Sequence, residues 1–361
     1  MKEYKRMPFP WTSKSKIKAR DYCDYSFYLK YVKKEHEEKR QEAVEGTNLH
    51  MVFANFYRHL KPEHVFREEL IDAKTTLHSH PMRRFIYEAC MKFIKPNHRS
   101  WGKYKNIISN FATIETERWL RLNTLLNNKD EIFECFKPLY IEKRLEYEPV
   151  HLFGTIDRIN IEVMPDKTKK IAIYDYKTGN VPKGVYTHKD MGKMFDWDLR
   201  SDLMKEIHFY GLLYLLNTGW NLSTEIHDFL NKPEWWYIKK DNMSYKQSLK
   251  DKGKYLTSLQ KNYKLFKEGK LFKKGEILVG FYYLNGDKGY RPVKEYNYAS
   301  HKSVIQAVND LRSAQHNSYY VKHPKFVFDE DACGYKNCHR VSKCREEIEL
   351  YNKAVKEGKI K

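Results

Sequence analysis

The chain has 361 residues and a formal charge of +20, from 67 Lys and Arg against 47 Asp and Glu. That length holds one elaborated domain or two small ones with an ordinary core, and such a field concentrates phosphate-bearing partners. A Lys-rich surface that serves only solubility is the plainer reading of the charge, but 28 tyrosines among the basic residues favour polyanion contact through stacking. No apolar run approaches a membrane span, the best being YGLLYLL from Tyr210, and MKEYKRMPFP does not begin a signal peptide. A cytoplasmic protein without membrane contact is therefore expected. Six cysteines are too sparse for a disulfide scaffold. Cys23, Cys90 and Cys135 stand alone, whereas Cys333, Cys338 and Cys344 cluster, which in a reducing compartment points to a metal.

Taken in order, SKSKIKARDYCDYSFYLKYVKK predicts a helix capped by Ser13 or Ser15, with Cys23, Phe27 and Tyr31 at four-residue spacing. On spacing alone Cys23 is a small core residue. The charged stretch KKEHEEKRQEAVEG reads as a solvated connector, and Gly46 is expected to precede a second helix whose buried stripe is Leu49, Phe53, Phe56 and Leu60. His50 sits beside that stripe, where a lone histidine is ordinarily structural. Residues 62–135 read as a helical insertion, including PMRRFIYEACMKFI and an amphipathic face of Ile107, Phe111, Ile114, Leu122 and Leu125. Cys90 and Cys135 fall in its apolar surroundings and read as packing.

PLYIEKRLEYE then alternates, with Glu142, Arg144 and Glu146 on one face, and leads into GTIDRINIEVMPDKTKKIAIYDYKTG. The period-two pattern and the turn residues around Asp166 predict a hairpin, and with the preceding strand a three-stranded meander. Asp175 and Lys177 project to one face of the second strand and Tyr176 to the other, with Asp157 brought near them by ordinary pairing. Glu142 either looks toward these aspartates or lies on a solvent-facing edge. Past Gly179 come the apolar helix SDLMKEIHFYGLLYLLNTGW, with Glu206 and Tyr210 one turn apart, and a strand-like PEWWYIKK. A basic helix over 244–270 follows, with Leu256, Leu259, Tyr263 and Phe266 inside and Lys250, Lys254, Lys261, Lys264 and Lys267 left for solvent or phosphate. The strand EILVGFYYL, a turn at Asn285 and Gly286, and the helix SVIQAVNDLRSAQ precede the cysteine-bearing end. No internal repeat interrupts this order, and one α/β domain over 1–361 is expected.

Paired carboxylates with a nearby ammonium suit a hard divalent cation and phosphodiester chemistry. Asp157 and Asp175 fit as ligands of Mg²⁺ or Mn²⁺, and Lys177 fits as the group that orients water and offsets developing charge. The acid-x-Lys doublets Asp72-Ala73-Lys74, Glu3-Tyr4-Lys5 and Glu357-Gly358-Lys359 lack the apolar strand that Asp175-Tyr176-Lys177 ends.

With these residues in view, the chain resembles the PD-(D/E)XK nucleases, and within them the RecB-like branch of CRISPR-adaptation iron–sulfur exonucleases and the AddAB nuclease module. GTIDRI is similar to the G-x-x-D-R-I/V motif and YDYKTG to D-Y-K-T-G, which implies Asp157, Asp175 and the Tyr176 carbonyl as metal ligands and Lys177 as the catalytic lysine. GTNLH resembles the G-x-x-x-H helix, which implies His50 as a further ligand. EIHFYGLLY resembles Q-x-x-x-Y, which puts Tyr210, Glu206 in the glutamine position, and Arg158 of the first motif at the substrate. The resemblance further implies a restriction-endonuclease-like core, a mixed sheet flanked by helices, closed by a clasp of 13–32 and 330–347. In that clasp Cys23, Cys333, Cys338 and Cys344 hold a [4Fe–4S] cluster, although four residues separate Cys333 from Cys338 where the family has two. Zinc on three cysteines with His339 is the competing reading. The implied activity is exonucleolytic cleavage of single-stranded or frayed DNA, with a helicase or CRISPR integrase as partner. A non-cutting DNA-end-binding module is the alternative. No G-x-x-x-x-G-K-[ST] loop is present, so a motor would be a separate polypeptide.

Overall fold

Alternating apolar segments pair into one mixed sheet in a computed structural model of the protein, which describes residues 11–22, 27–32, 34, 41–71, 75–94, 100–148, 151–179, 201–218, 277–285, 291, 293–296, 349, 353, 356 and 357. Strands β1 (Tyr140–Tyr147), β2 (Leu152–Val163) and β3 (Lys169–Lys177) form the expected antiparallel meander. β4 (Ile277–Tyr283) runs parallel to β3, and a three-residue β5 (Val293–Glu295) lies antiparallel at the edge. All of β4 is buried, as its unbroken apolar sequence requires of a strand covered on both faces. PEWWYIKK, the basic helix 244–270, SVIQAVNDLRSAQ, Cys23, Cys333, Cys338, His339 and Cys344 lie outside the described residues.

Among the described residues the α-helices are α1 (Lys14–Tyr22), α2 (Gln41–Arg58), α3 (Pro62–Val65), α4 (Glu68–Ile71), α5 (Pro81–Met91), α6 (Trp101–Leu125), α7 (Lys129–Phe136) and α8 (Ser201–Asn217). Ser13 caps α1 by accepting the Lys16 amide at 3.4 Å, and Thr12 adds a parallel bridge to Leu152 just before it. Of the helix expected over residues 13–34, Lys14–Tyr22 is helical and Tyr28–Val32 forms a π-helical turn, while residues 23–26 between them lie outside the described residues. Gly46 likewise lies inside α2 rather than before it. A Cβ there would stand 3.3 Å from Thr178 Oγ1, so the missing side chain lets α2 run close past the end of β3.

Ala172, Tyr174, Tyr176, Leu278 and Tyr282 alternate along β3 and β4 and share one core with α2, α5, α6 and α7. The segment read as an insertion thus builds a full layer of that core, through Ile107, Phe111, Ile114 and Leu122. Cys90 and Cys135 are buried in it. The opposite face, with Val279, receives α8, whose Gly211 carries no Cβ where one would meet the Tyr296 ring at 2.6 Å.

Behind β2 the core is ionic. Arg158 grips Glu115 of α6 with two bonds of 2.9 Å and lies 4.7 Å over the Tyr57 ring. Tyr282 donates to Glu115 at 2.8 Å, and Tyr57 donates to its other oxygen. Glu162, two turns of the pleat further on, is held by Arg118, Arg121 and Arg291. Burial alone would raise the Glu115 carboxyl, but Arg158 and Arg118 outweigh it and hold the group at about 2, against an ordinary value of 4.5.

A depressed folded-state value means that the carboxylate contributes stability fully above its unfolded value and loses it as pH falls. Thermal stability is therefore expected to drop between about pH 4.5 and 2. Glu115→Gln should flatten that limb while lowering stability at neutral pH by about 3–5 kcal/mol, since it strands buried guanidinium charge; calorimetric melts across pH read both effects.

Candidate active site

Three positions on two neighbouring strands start the site. Arg158 pairs with Tyr174, which sets Asp157 opposite Asp175 one step along the ladder. The amide of Tyr176 donates to Asp157 Oδ2 at 2.8 Å, tying the two strands at that point. The Tyr176 ring packs on Phe53 and Tyr282, with centroids 5.1 and 5.4 Å away. Because neighbouring side chains on a strand alternate, this buried ring obliges Asp175 and Lys177 to face the other way.

Helix α2 and strand β1 bring two more groups. His50 Nδ1 lies 3.5 Å from Asp157 Oδ2 and 3.5 Å from Glu142 Oε1, and all three residues offer ligand atoms within 4.8 Å of one another. Glu142 falls between the pairs Ile141↔Arg158 and Lys143↔Ile156, hence across from Asp157. Its φ of 48° is a left-handed conformation inside a strand, costly for a residue with a side chain. The kink separates Glu142 from Arg144 and Glu146, which pair with each other at the surface. Of the two readings of Glu142, the geometry selects the one that looks toward the aspartates.

The lysines make the other half. Lys177 Nζ lies 2.7 Å from Asp175 Oδ2 and 3.0 Å from Glu206 Oε2. Lys14 of α1 reaches Asp175 Oδ1 at 2.7 Å and stands 4.7 Å over the Tyr210 ring, while Lys18 meets Glu206 Oε1 at 2.5 Å. Glu206 and Tyr210 therefore share the site face of α8, as their one-turn spacing requires. The side chains of His50, Glu142, Lys14 and Lys177 are each about a fifth exposed, while Asp175 is 5% exposed. The carboxylate forms a floor, and the other groups form a rim that solvent reaches.

Burial and then the charge of Asp175 push the Asp157 carboxyl up to about 7, against the pull of His50 and Lys14. Burial pulls His50 down, but Asp157 and Glu142 outweigh it and raise the imidazole to about 9. Asp175 moves in the opposite sense: burial would raise it, yet Lys14 and Lys177 hold it well below the carboxylate range. Lys177 stays above its usual value despite burial, because Asp175 and Glu206 stabilise the ammonium.

The donor set fits a divalent cation. One imidazole and two carboxylates converge, and the nearest polar partner of the buried Glu142 Oε1 is the shared His50 Nδ1 at 3.5 Å, a long contact that a cation between them would replace. Mg²⁺ and Mn²⁺ are the hard ions that such oxygen-rich sites favour. Asp175 adjoins this cup with both oxygens engaged by ammonium groups.

Arg158 requires a correction. Expected at the substrate, it is fully buried on the opposite face of β2, its guanidinium taken by Glu115 and Asn160. The neighbour of a site carboxylate on a strand points away from it. Lys14 and Lys18 were not foreseen, since nothing local separates them from the other basic residues of a chain with 67 Lys and Arg.

A sequence model described as the PD-(D/E)XK nuclease superfamily matches residues 12–313, and the chain belongs to that superfamily. No curated protein matches the chain. Members are metal-dependent nucleases, and DNA is the substrate class that membership implies. The mixed sheet flanked by helices agrees with a restriction-endonuclease-like core. Among the described residues, no helix is long and apolar enough to cross a membrane.

Removing a ligand atom from the cup should weaken metal binding. Glu142→Ala is expected to raise the Mn²⁺ dissociation constant, measured by calorimetry, by at least about tenfold.

Proposed function

We propose that this member of the superfamily hydrolyses DNA phosphodiesters, using a divalent cation held by His50, Glu142, Asp157, Asp175 and the Tyr176 carbonyl. The observation that carries this reading is the convergence of His50, Glu142 and Asp157 within 4.8 Å, beside an Asp175–Lys177 pair at 2.7 Å. When bound, the cation would acidify a water and offset charge on the phosphate.

The chain's own groups do the rest. Lys177, held as an ammonium between Asp175 and Glu206, is a donor and a fixed positive charge rather than a base. It orients the attacking water and stabilises the negative charge that grows on the phosphate oxygens. The water oxygen bonds to phosphorus as the bond to the leaving oxygen breaks; the water gives up one proton to solvent, and the leaving oxygen takes up one proton from solvent. Tyr210 and Glu206 border the same face, with Glu206 fixing Lys177 and Lys18.

We read the substrate as single-stranded or frayed DNA ends and the mode as exonucleolytic, supported by the +20 charge and the tyrosine-rich sequence. Cys23, Cys333, Cys338 and Cys344 support a [4Fe–4S] clasp, and with it the RecB-like branch, a helicase or integrase partner, and a cytoplasmic setting.

Asp175→Ala and Lys177→Ala should each abolish cleavage of end-labelled single-stranded DNA in Mn²⁺ and leave DNA binding within a few-fold of wild type. Wild-type-like cleavage by either variant, or cleavage that survives a chelator, would remove this assignment. Protein purified without oxygen should be brown, and a colourless preparation with zinc bound would replace the cluster.

A further inference from the structure

Asp175 meets a different ammonium on each oxygen. Lys177 takes Oδ2 from two residues along the same strand and is also held by Glu206 at 3.0 Å. Lys14 takes Oδ1 from a separate element, the first residue of α1. Backbone bonds deliver it there: Thr12 receives the ladder through its amide to His151 at 2.7 Å and its carbonyl from Phe153 at 3.0 Å. Ser13 then caps the helix, and Lys14 follows at once.

The cup of His50, Glu142 and Asp157 does not include Asp175, although the proposed metal set does. A dication joining Asp175 would stand beside two ammonium groups already 2.7 Å from its oxygens, a like-charge repulsion that is relieved when one ammonium withdraws. Lys177 is doubly held and is needed beside the phosphate, whereas Lys14 stands 3.8 Å from its next partner, Glu206. Lys14 already has Glu206 at 3.8 Å and the Tyr210 ring at 4.7 Å to turn to when it leaves Asp175.

We propose that Lys14 is a metal-exchange residue: its ammonium and the incoming divalent cation compete for Oδ1 of Asp175, so that metal binding releases Lys14 toward Glu206 and Tyr210. This rests on the metal-site reading given above. Lys14 lowers the electrostatic cost of burying Asp157, Asp175 and Glu206 together, as a cation at the same place would. Exchange also makes the seating of the N-terminal helix respond to metal occupancy.

Calorimetry with Mn²⁺ on the full chain tests it. Lys14→Met keeps the length of the side chain and removes the competing charge, so Mn²⁺ should bind about tenfold more tightly or better, while Lys14→Arg should stay within about threefold of wild type. Unchanged or weaker binding by Lys14→Met overturns the proposal; a merely structural lysine, once removed, would weaken the site. A second test uses wild-type protein alone, and so stands even where Lys14→Met does not fold. Acylation of Lys14 by an amine-specific reagent, read by mass spectrometry, should rise several-fold on adding Mn²⁺, and unaltered labelling overturns exchange. Asp157→Ala separates the two claims: if it binds Mn²⁺ like wild type, the metal cup itself is wrong, whereas failure in the Lys14 experiments alone leaves the cup standing.

Discussion

The ion pair between Arg158 and Glu115 is the constraint from which the site follows. It is fully buried, bidentate, and bounded by the rings of Tyr57 and Tyr282. Separating its charges inside the core is too costly to be a fluctuation, so β2 has one seat against α6. Asp157 is the preceding residue, and the direction of its carboxylate is settled by its neighbour's burial. Tyr176 does the same on β3: packed among Phe53, Phe111 and Tyr282, it turns Asp175 and Lys177 to the other face. Preorganisation of the acidic groups is thus achieved by side chains buried on the opposite face of the sheet.

The second theme is charge balance. Glu142, Asp157, Asp175 and Glu206 converge, and the protein answers with His50, Lys14, Lys18 and Lys177. The balance is uneven in space. Lysines pair with Asp175 and Glu206, which leaves His50, Glu142 and Asp157 as the corner where a single imidazole faces two carboxylates beside a strained backbone residue. Strain of this kind persists where surrounding structure enforces it, and its coincidence with the acidic corner adds to the convergence of His50, Glu142 and Asp157 as a pointer to a cation there. Membership of a superfamily of metal-dependent nucleases points the same way.

Much of this was legible in the sequence, for reasons that differ by residue. Asp157, Asp175 and Lys177 sit on strands whose period-two pattern announces itself, so their faces could be assigned before any fold was known. His50 carried no such signal, and only its likeness to a G-x-x-x-H helix drew attention to it. Glu115 was invisible: a glutamate one position from Ile114 in a long amphipathic helix reads as surface, and its partner Arg158 is forty-three positions away. Arg158 belongs to the same motif as Asp157, but adjacent strand residues face opposite ways, so motif membership does not put both at the site. Gly46 was taken for a helix boundary when it marks close approach of two elements, a three-dimensional fact that composition does not encode. The helical pattern of 62–135 reads as an insertion, and its helices supply the layer on which β2 and β3 rest, a packing role that periodicity alone does not reveal.

The central claim is that a divalent cation sits where α2, β1 and β2 meet. Anomalous diffraction from crystals soaked in Mn²⁺ tests it most directly. The expected map has a strong manganese peak within coordination distance of His50, Glu142 and Asp157, with an Asp175 oxygen turned to it. A peak at other carboxylates with that corner empty, or none at all at saturating Mn²⁺, would contradict it.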